Sequence, residues 1–531
     1  MFKIYNNLES RLKRLYGKDP TNDSWHYMRE NRLPYIQMFH DDSEESEVDD
    51  ITWNDLDMDN VFFRINHTQS FLGEQILYHR LHNTNSKRDW DLFEKKVKFF
   101  DENEDLRIRL EKRLHGIGKA QESYYLTRLI KHTSDAGIKE TVILRLLQII
   151  LLVCLVGAIF FKQTICMIGL IIIVAVNITV YTYKKTKTEG MLTCFKNLSI
   201  IIKFCQFIRS QKDLPEFIYK GEINNDIDKL KKLAKMTGAF SSNRIMSNSD
   251  PQALFVDYLM GITLWDLTNY NHIIKVIKGN EDAVMRVLQY VGEIDMDISI
   301  ASFRRSVDKY CLPDFKNNDV FKIKGLYNPL INDSVDNDIV MGKYTIITGA
   351  NASGKSTFMK ALGVNSILAQ TIHTCCADEF IMPDIKIMTS MALRDDIISG
   401  DSYYVTEVKY LKRMLDCIED GNMVLCIIDE ILKGTNTVER VAASEAILRY
   451  LKNKNCFTVV ATHDLKMVEH IREIYETYCF KSFFTESGVT FDYKIRKGIC
   501  NETNAIELLS QYKFPAVILE DAKKICRGLY S

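Results

Sequence analysis

A C-terminal α/β domain preceded by an all-helical region, itself interrupted by two apolar segments, is the architecture this 531-residue sequence predicts. Three observations predict it. A glycine-rich loop stands between a strand-like run (343–348) and a helix-like run (356–370). Two more apolar, strand-like runs follow, MVLCIIDE (423–430) and FTVVATHD (457–464), each ending in polar side chains. Well before them, two segments of 20 and 19 residues (142–161 and 165–183) are apolar almost throughout.

Composition sets the limits. With 46% hydrophobic residues the chain can bury several cores. A net charge of −1 offers no global basic field for nucleic acid. Thirteen cysteines without a CxxC pair fit reduced thiols in a cytosolic compartment, with no disulfide framework and no zinc site. The opening MFKIYNNLESRLKRLYGKD is polar and carries no signal-peptide core.

Five spans follow in order. Residues 1–50 begin as a helix and loosen into the acidic run DDSEESEVDD, a solvated linker by composition. Residues 51–140 show apolar side chains at helical spacing, with Asn66 or Thr68 placed to cap a helix. Residues 141–185 hold the apolar pair, and 186–320 return to the helical pattern as the second part of the same core. Residues 321–531 are the α/β domain.

Each apolar segment is long enough for a bilayer core and apolar all round. Arg145, Gln148 and Asn177 interrupt them. Lys139, Arg145, Lys184, Lys185 and Lys187 place positive charge on both outer flanks. That pattern predicts a transmembrane hairpin from Val142 to Tyr183, with both soluble parts on the cytoplasmic side. The alternative is a helical hairpin buried in a soluble core, and with it a cytosolic protein.

The chemistry lies in the C-terminal span. GANASGKS (349–356) is a complete G-x-x-x-x-G-K-[ST] phosphate loop, or P-loop, between the strand and the helix it needs. Gly349, Ala350, Asn351, Ala352, Ser353, Gly354, Lys355, Ser356 and Thr357 would surround the phosphates of ATP. Backbone amides would face them at a helix start. Lys355 would reach the β- and γ-phosphates, and Ser356 would offer its hydroxyl to Mg²⁺. Asp429, at a strand tip, would hold Mg²⁺ directly or through water. Glu430 would polarise the attacking water. His463, at the end of another strand, would bond the γ-phosphate or that water. A polar loop with Gly400 and Ser402 precedes a helix, and GTNTVER (434–440) caps the next.

In order and spacing these pieces resemble the MutS-type ATPase domain of DNA mismatch-repair proteins. TGANASGKST matches that family's TGxNxxGKST loop, with Asn351 at the Asn. SGDSYYVTEV (399–408) matches its serine-bearing signature, DEILKGTNT (429–437) its acidic strand end and GTST-like loop, and Ala461, Thr462 and His463 its ATH. The closing FDYKIRKGICNETNAIELLSQYKFPAVILEDA resembles the family's last segment, and NVFFRINHTQSFLGEQILYHRL the start of its helical core.

The resemblance implies a homodimeric ATPase in which Ser402 reaches the nucleotide of the partner subunit and Asn351 touches the γ-phosphate region. It also implies mismatched or branched DNA as the load. The sequence departs from the family in three places. No room for a mismatch-wedge domain lies before Trp53. Ser334 or Val335 stands where the family places a base-stacking aromatic. The apolar hairpin has no counterpart in ordinary mismatch-repair proteins. A membrane-tethered mechanochemical module acting on a protein or lipid partner, without DNA, is the second reading. A transporter is disfavoured by two apolar segments per chain and by a signature unlike LSGGQ.

Overall fold

Among the described residues every element before residue 314 is helical, as the apolar spacing predicts. The computed structural model describes residues 2–22, 31–41, 47–84, 88–132, 141–161, 164–219, 221–241, 258–316, 319–350, 352–391, 403–434, 436–485, 488–499, 509 and 512–529. Two units divide the chain. The first is Met1–Glu44, Asn66–His79 and Asp89–Ser302; the second is Glu45–Ile65, Arg80–Arg88 and Phe303–Ser531. Residues 45–65, read in the sequence as linker and the head of the helical core, thus belong with the α/β domain.

Buried carboxylates organise the first unit. Asp295, on the helix Glu281–Ser306, accepts the amides of Gln69 (2.9 Å) and Ser70 (2.7 Å) and the Ser70 hydroxyl (2.5 Å). These groups precede the helix Phe71–His82, which Ser70 caps through the Gly73 amide (3.2 Å). The expected caps do other work: Asn66 accepts the Thr68 hydroxyl (2.7 Å) and donates to Glu74 (3.0 Å). Only glycine fits at 73, because a Cβ there would collide with the Asp295 carboxylate. Glu74 is fully buried and also meets Lys119 (2.7 Å), Arg32 (3.2 Å) and the Tyr124 hydroxyl.

The apolar pair forms the helices Thr141–Phe160 and Thr164–Ser210, and the second, 47 residues long, runs on beyond its apolar part. By length and composition both can cross a membrane, and among the described residues only 11% and 17% of their apolar windows are buried. Their polar interruptions have a structural use. Leu264 is left-handed (φ 53°) and breaks the chain before the helix Trp265–Ile277, which frees nearby carbonyls. Gln148 donates to the Thr263 carbonyl (2.8 Å) and Asn177 to that of Ile262 (2.8 Å).

Among the described residues the second unit holds ten strands: β1 (Asp314–Phe315), β2 (Phe321–Leu326), β3 (Asn337–Met341), β4 (Tyr344–Gly349), β5 (Glu379–Met382), β6 (Lys386–Ser390), β7 (Val424–Asp429), β8 (Cys456–Ala461), β9 (Glu476–Thr485) and β10 (Gly488–Lys497). A small sheet runs β1-β5-β2-β3, and the main sheet runs β10-β9-β4-β8-β7-β6. The main sheet is parallel except for the edge hairpin β9–β10. β8, at its centre, is buried along its whole length, which suits its Phe, Thr and Val side chains. Asp55 anchors the early residues here by accepting the Thr389 hydroxyl (2.7 Å) and the Met391 amide (2.8 Å). Cys479 on β9 is disulfide-bonded, which corrects the expectation of reduced thiols throughout; ten other cysteines among the described residues are free.

Burial alone would raise the Glu74 carboxyl, but Lys119 and Arg32 outweigh it and hold it at about 2. Its stabilisation is complete above the ordinary value of 4.5 and is lost as pH falls through about 2. Glu74→Gln should therefore cost about 3 kcal/mol at neutral pH. That difference from wild type should shrink between pH 4.5 and about 2, read by urea unfolding at stepped pH. A constant difference across the window would refute the assignment.

Candidate active site

Register places three strand ends side by side. β4 pairs with β8 through Ile347 and Ala461, and β7 pairs with β8 through Asp429 and Ala461. The loops after β4, β7 and β8 leave from this common edge, where open α/β sheets place their ligands.

After β4 the chain turns through Gly349 (φ 145°) and Gly354 (φ 108°). A Cβ at Gly349 would lie 2.8 Å from the Phe480 carbonyl oxygen, and one at Gly354 3.2 Å from Tyr493 Cδ1. Glycine is needed at both for space and for the positive φ. The helix Lys355–Ile372 begins at once, so its unpaired first amides border the loop. Lys355 folds back to donate to the carbonyls of Gly349 (2.7 Å) and Ala350 (2.9 Å). Burial pushes its ammonium below the usual value, against the pull of Asp429 and Glu430.

Ser356 Oγ donates to Asp429 Oδ2 at 2.6 Å. Glu430 follows in a left-handed conformation (φ 62°), its amide fixed on the Ala461 carbonyl (2.9 Å). One Glu430 oxygen meets His463 Nδ1, and the other faces Lys433 Nζ at 3.4 Å. Burial would raise Glu430, yet His463 and Lys433 prevail and hold it below the ordinary carboxylate range. The same hydrogen bond raises His463. Ala352 (φ 64°), Leu432 (φ 56°) and Tyr493 (φ 54°) are further left-handed residues around the site. Each such residue costs about 1–3 kcal/mol, strain that gathers where function needs a fixed geometry.

Lys355, Ser356, Thr357, Asp429, Glu430 and His463 line one cavity of about 410 Å³, together with 352–354. Sequence reading thus brought together the residues that meet here, except Asn351 and Ser402, which lie outside the described residues. Gly349 and Ala350 contribute through their carbonyls to Lys355. Asn436 caps the helix Thr437–Leu451 through the Val438 amide (3.1 Å), as the polar loop predicted.

Two residues escaped the sequence reading. Tyr493 lines this cavity and a neighbouring one of about 330 Å³, whose walls include Ser334, Val335 and Phe358. A register shift between Phe491 and Ile495 sets the Tyr493 backbone apart from the β9–β10 ladder. Asn337 holds that backbone, donating to the Tyr493 carbonyl (3.1 Å) and accepting the Ile495 amide (2.7 Å). The FDYK run of the closing segment was the only signal. The second is Glu407, buried on the helix Tyr403–Glu419, which accepts the amides of Lys433 (3.0 Å) and Gly434 (3.2 Å). It ties down the loop that carries Glu430.

A glycine-turned loop, a hydroxyl–carboxylate pair and a strained second carboxylate on one parallel edge define an ATPase-like α/β domain. Residues 345–530 match the family model described as MutS domain V. Proteins named DNA mismatch repair protein MutS are similar over about half of this chain. That of Petrotoga mobilis is 32% identical over 272 residues, covering 49% of this chain and 33% of the relative. Those of Fusobacterium nucleatum subsp. nucleatum and Thermotoga maritima are each 27% identical, over 49% and 48% of this chain and 30% and 33% of their own. The match to MutS domain V and the likeness to these MutS proteins together place the family's pattern on part of the chain. The chain spans about a third of the length of the curated relatives it matches.

Glu407→Ala should cost about 2 kcal/mol, the loss of two charge-assisted bonds between a buried carboxylate and part-buried amides. Hydrogen exchange at Lys433 and Gly434 should quicken while that of β7 and β8 stays slow. Unchanged exchange at both amides would remove Glu407 from the loop's support.

Proposed function

We propose that this chain binds ATP with Mg²⁺ at the P-loop, hydrolyses it, and works as the ATP-driven switch of a MutS-like homodimer on mismatched or branched DNA. The convergence of Lys355, Ser356, Asp429, Glu430 and His463 on one cavity carries this reading. The residues suit the ligands. The Ser356 hydroxyl and Asp429 carboxylate, 2.6 Å apart, are hard oxygen donors placed to share one small cation. Mg²⁺, when bound, neutralises charge on the phosphates.

Lys355 exchanges two carbonyl partners for phosphate oxygens. Glu430, kept ionised by His463 and Lys433, orients and polarises the attacking water. His463 steadies Glu430 and carries positive charge beside it. Tyr493 supplies the base with an aromatic face, the part that Ser334 and Val335 leave unfilled. Ser402 completes the site of the other subunit, and Asn351 touches the γ-phosphate region. The names of the relatives support the DNA load.

The membrane belongs to the same proposal. The exposed apolar helices between Val142 and Tyr183 anchor the switch, with both soluble parts cytoplasmic. They also favour a second reading, in which the anchored ATPase moves a protein or lipid partner and meets no DNA.

Lys355→Ala should raise the ATP Kd by about a hundredfold or more. Glu430→Ala should keep ATP binding and lower turnover by about a hundredfold or more; normal turnover would sink the water-activating role. Tyr493→Ala should weaken ATP about tenfold with little change in turnover at saturation. Turnover in nanodiscs, with and without mismatched duplex at low and high salt, separates the two loads. Stimulation that fades with salt supports DNA, and indifference to DNA supports the second reading.

A further inference from the structure

The first unit contains a cavity of its own, about 220 Å³, with no part in the ATP site. The helix Phe2–Leu15 and the turn through Lys18 form one wall, residues 66–69 a second, and Gly118 and Lys119 a third. Arg11, Lys18, Arg32 and Lys119 line it with basic side chains, and among the described residues Asp19 is the one carboxylate of the lining. Glu74 lies behind and meets both Lys119 and Arg32, and the buried Asp295 also acts on Lys119. Arg32 Nε is buried and has no hydrogen-bond partner among the described residues. His115 also borders the cavity; burial, then the charges of Arg11 and Lys119, push its imidazole below the usual value. The ring therefore sits in a positive field.

We propose that this cavity is a binding site for a compact phosphate-bearing anion, of pyrophosphate size, gripped by Arg11, Lys18, Arg32 and Lys119. Size selects the class. Ordinary small-molecule pockets run to about 300–1,000 Å³, so a bulky organic ligand does not fit. A duplex presents its phosphates on a convex surface that cannot enter three walls. Guanidinium and ammonium donors converging in a recess bind phosphate oxygens by charge-assisted hydrogen bonds. The bland alternative is a water-filled crevice whose charges are merely solvated.

The test uses the full chain carrying Lys355→Ala, so that the P-loop does not contribute, and titrates inorganic pyrophosphate by calorimetry at low and high salt. One saturable site that weakens with salt is expected. Adding Arg11→Gln or Lys18→Gln should each weaken it about tenfold. Both side chains are exposed, so neither change threatens folding, and an unchanged far-UV spectrum confirms it. No saturable binding in the Lys355→Ala protein, or an affinity untouched by both substitutions, overturns the site. Displacement of pyrophosphate by a short DNA duplex, with the same two substitutions weakening the duplex, overturns the small-anion assignment. Failure of the ATP-site reading would leave this result unaffected.

Discussion

The parallel register of β4, β8 and β7 is the constraint on which the rest of the α/β unit depends. Ala461 is the common partner of Ile347 and Asp429, so the P-loop, the carboxylate pair and His463 emerge together. A slip of one residue between β7 and β8 would turn Asp429 to the other face and bury it. Apolar residues along both strands make that slip costly, because β8 is closed to solvent on both sides. The chemistry is thus held in place by side chains that take no part in it.

A second device recurs across the molecule. A carboxylate on one helix accepts the amides of a segment distant in sequence. Asp295 does this for Gln69 and Ser70, Glu407 for Lys433 and Gly434, and Asp55 for Met391. Each bond of this charge-assisted kind contributes about 1.5–3 kcal/mol, and losing the carboxylate leaves the amides without that partner. The device fixes loops without a long local motif. That explains how strained residues such as Glu430 and Leu432 persist within one short stretch.

What the sequence made legible was local. The P-loop, the strand ends at Asp429 and His463, and the helix after Ser402 all follow from short patterns with fixed offsets. What stayed hidden was set by pairing at a distance. Glu407 reads as an ordinary charge on an amphipathic helix until Lys433 and Gly434 are seen above it. Tyr493 reads as an outward strand residue, and only the register shift and the hold of Asn337 place it at the loop. Ser70 outcompeted Asn66 and Thr68 as a cap because Asp295 organises that turn from another helix. Gln148 and Asn177 looked like flaws in apolar segments; their purpose appears only beside the break at Leu264. The separation of 45–65 from the helical core was equally invisible, since its anchor, Asp55, bonds to residues more than 300 positions away.

The helix Thr164–Ser210 has a mechanical consequence. At 1.5 Å per residue its 47 residues make a rod of about 70 Å. Its apolar window ends at Lys184, so a further stretch of about 39 Å continues without a joint. A body clamped at one end of such a rod is not free to pivot at the other. A tilt of about 10° in the apolar part carries the far tip sideways by about 7 Å. The span is thereby a stiff lever, and any tilt of its apolar part becomes a displacement at Ser210.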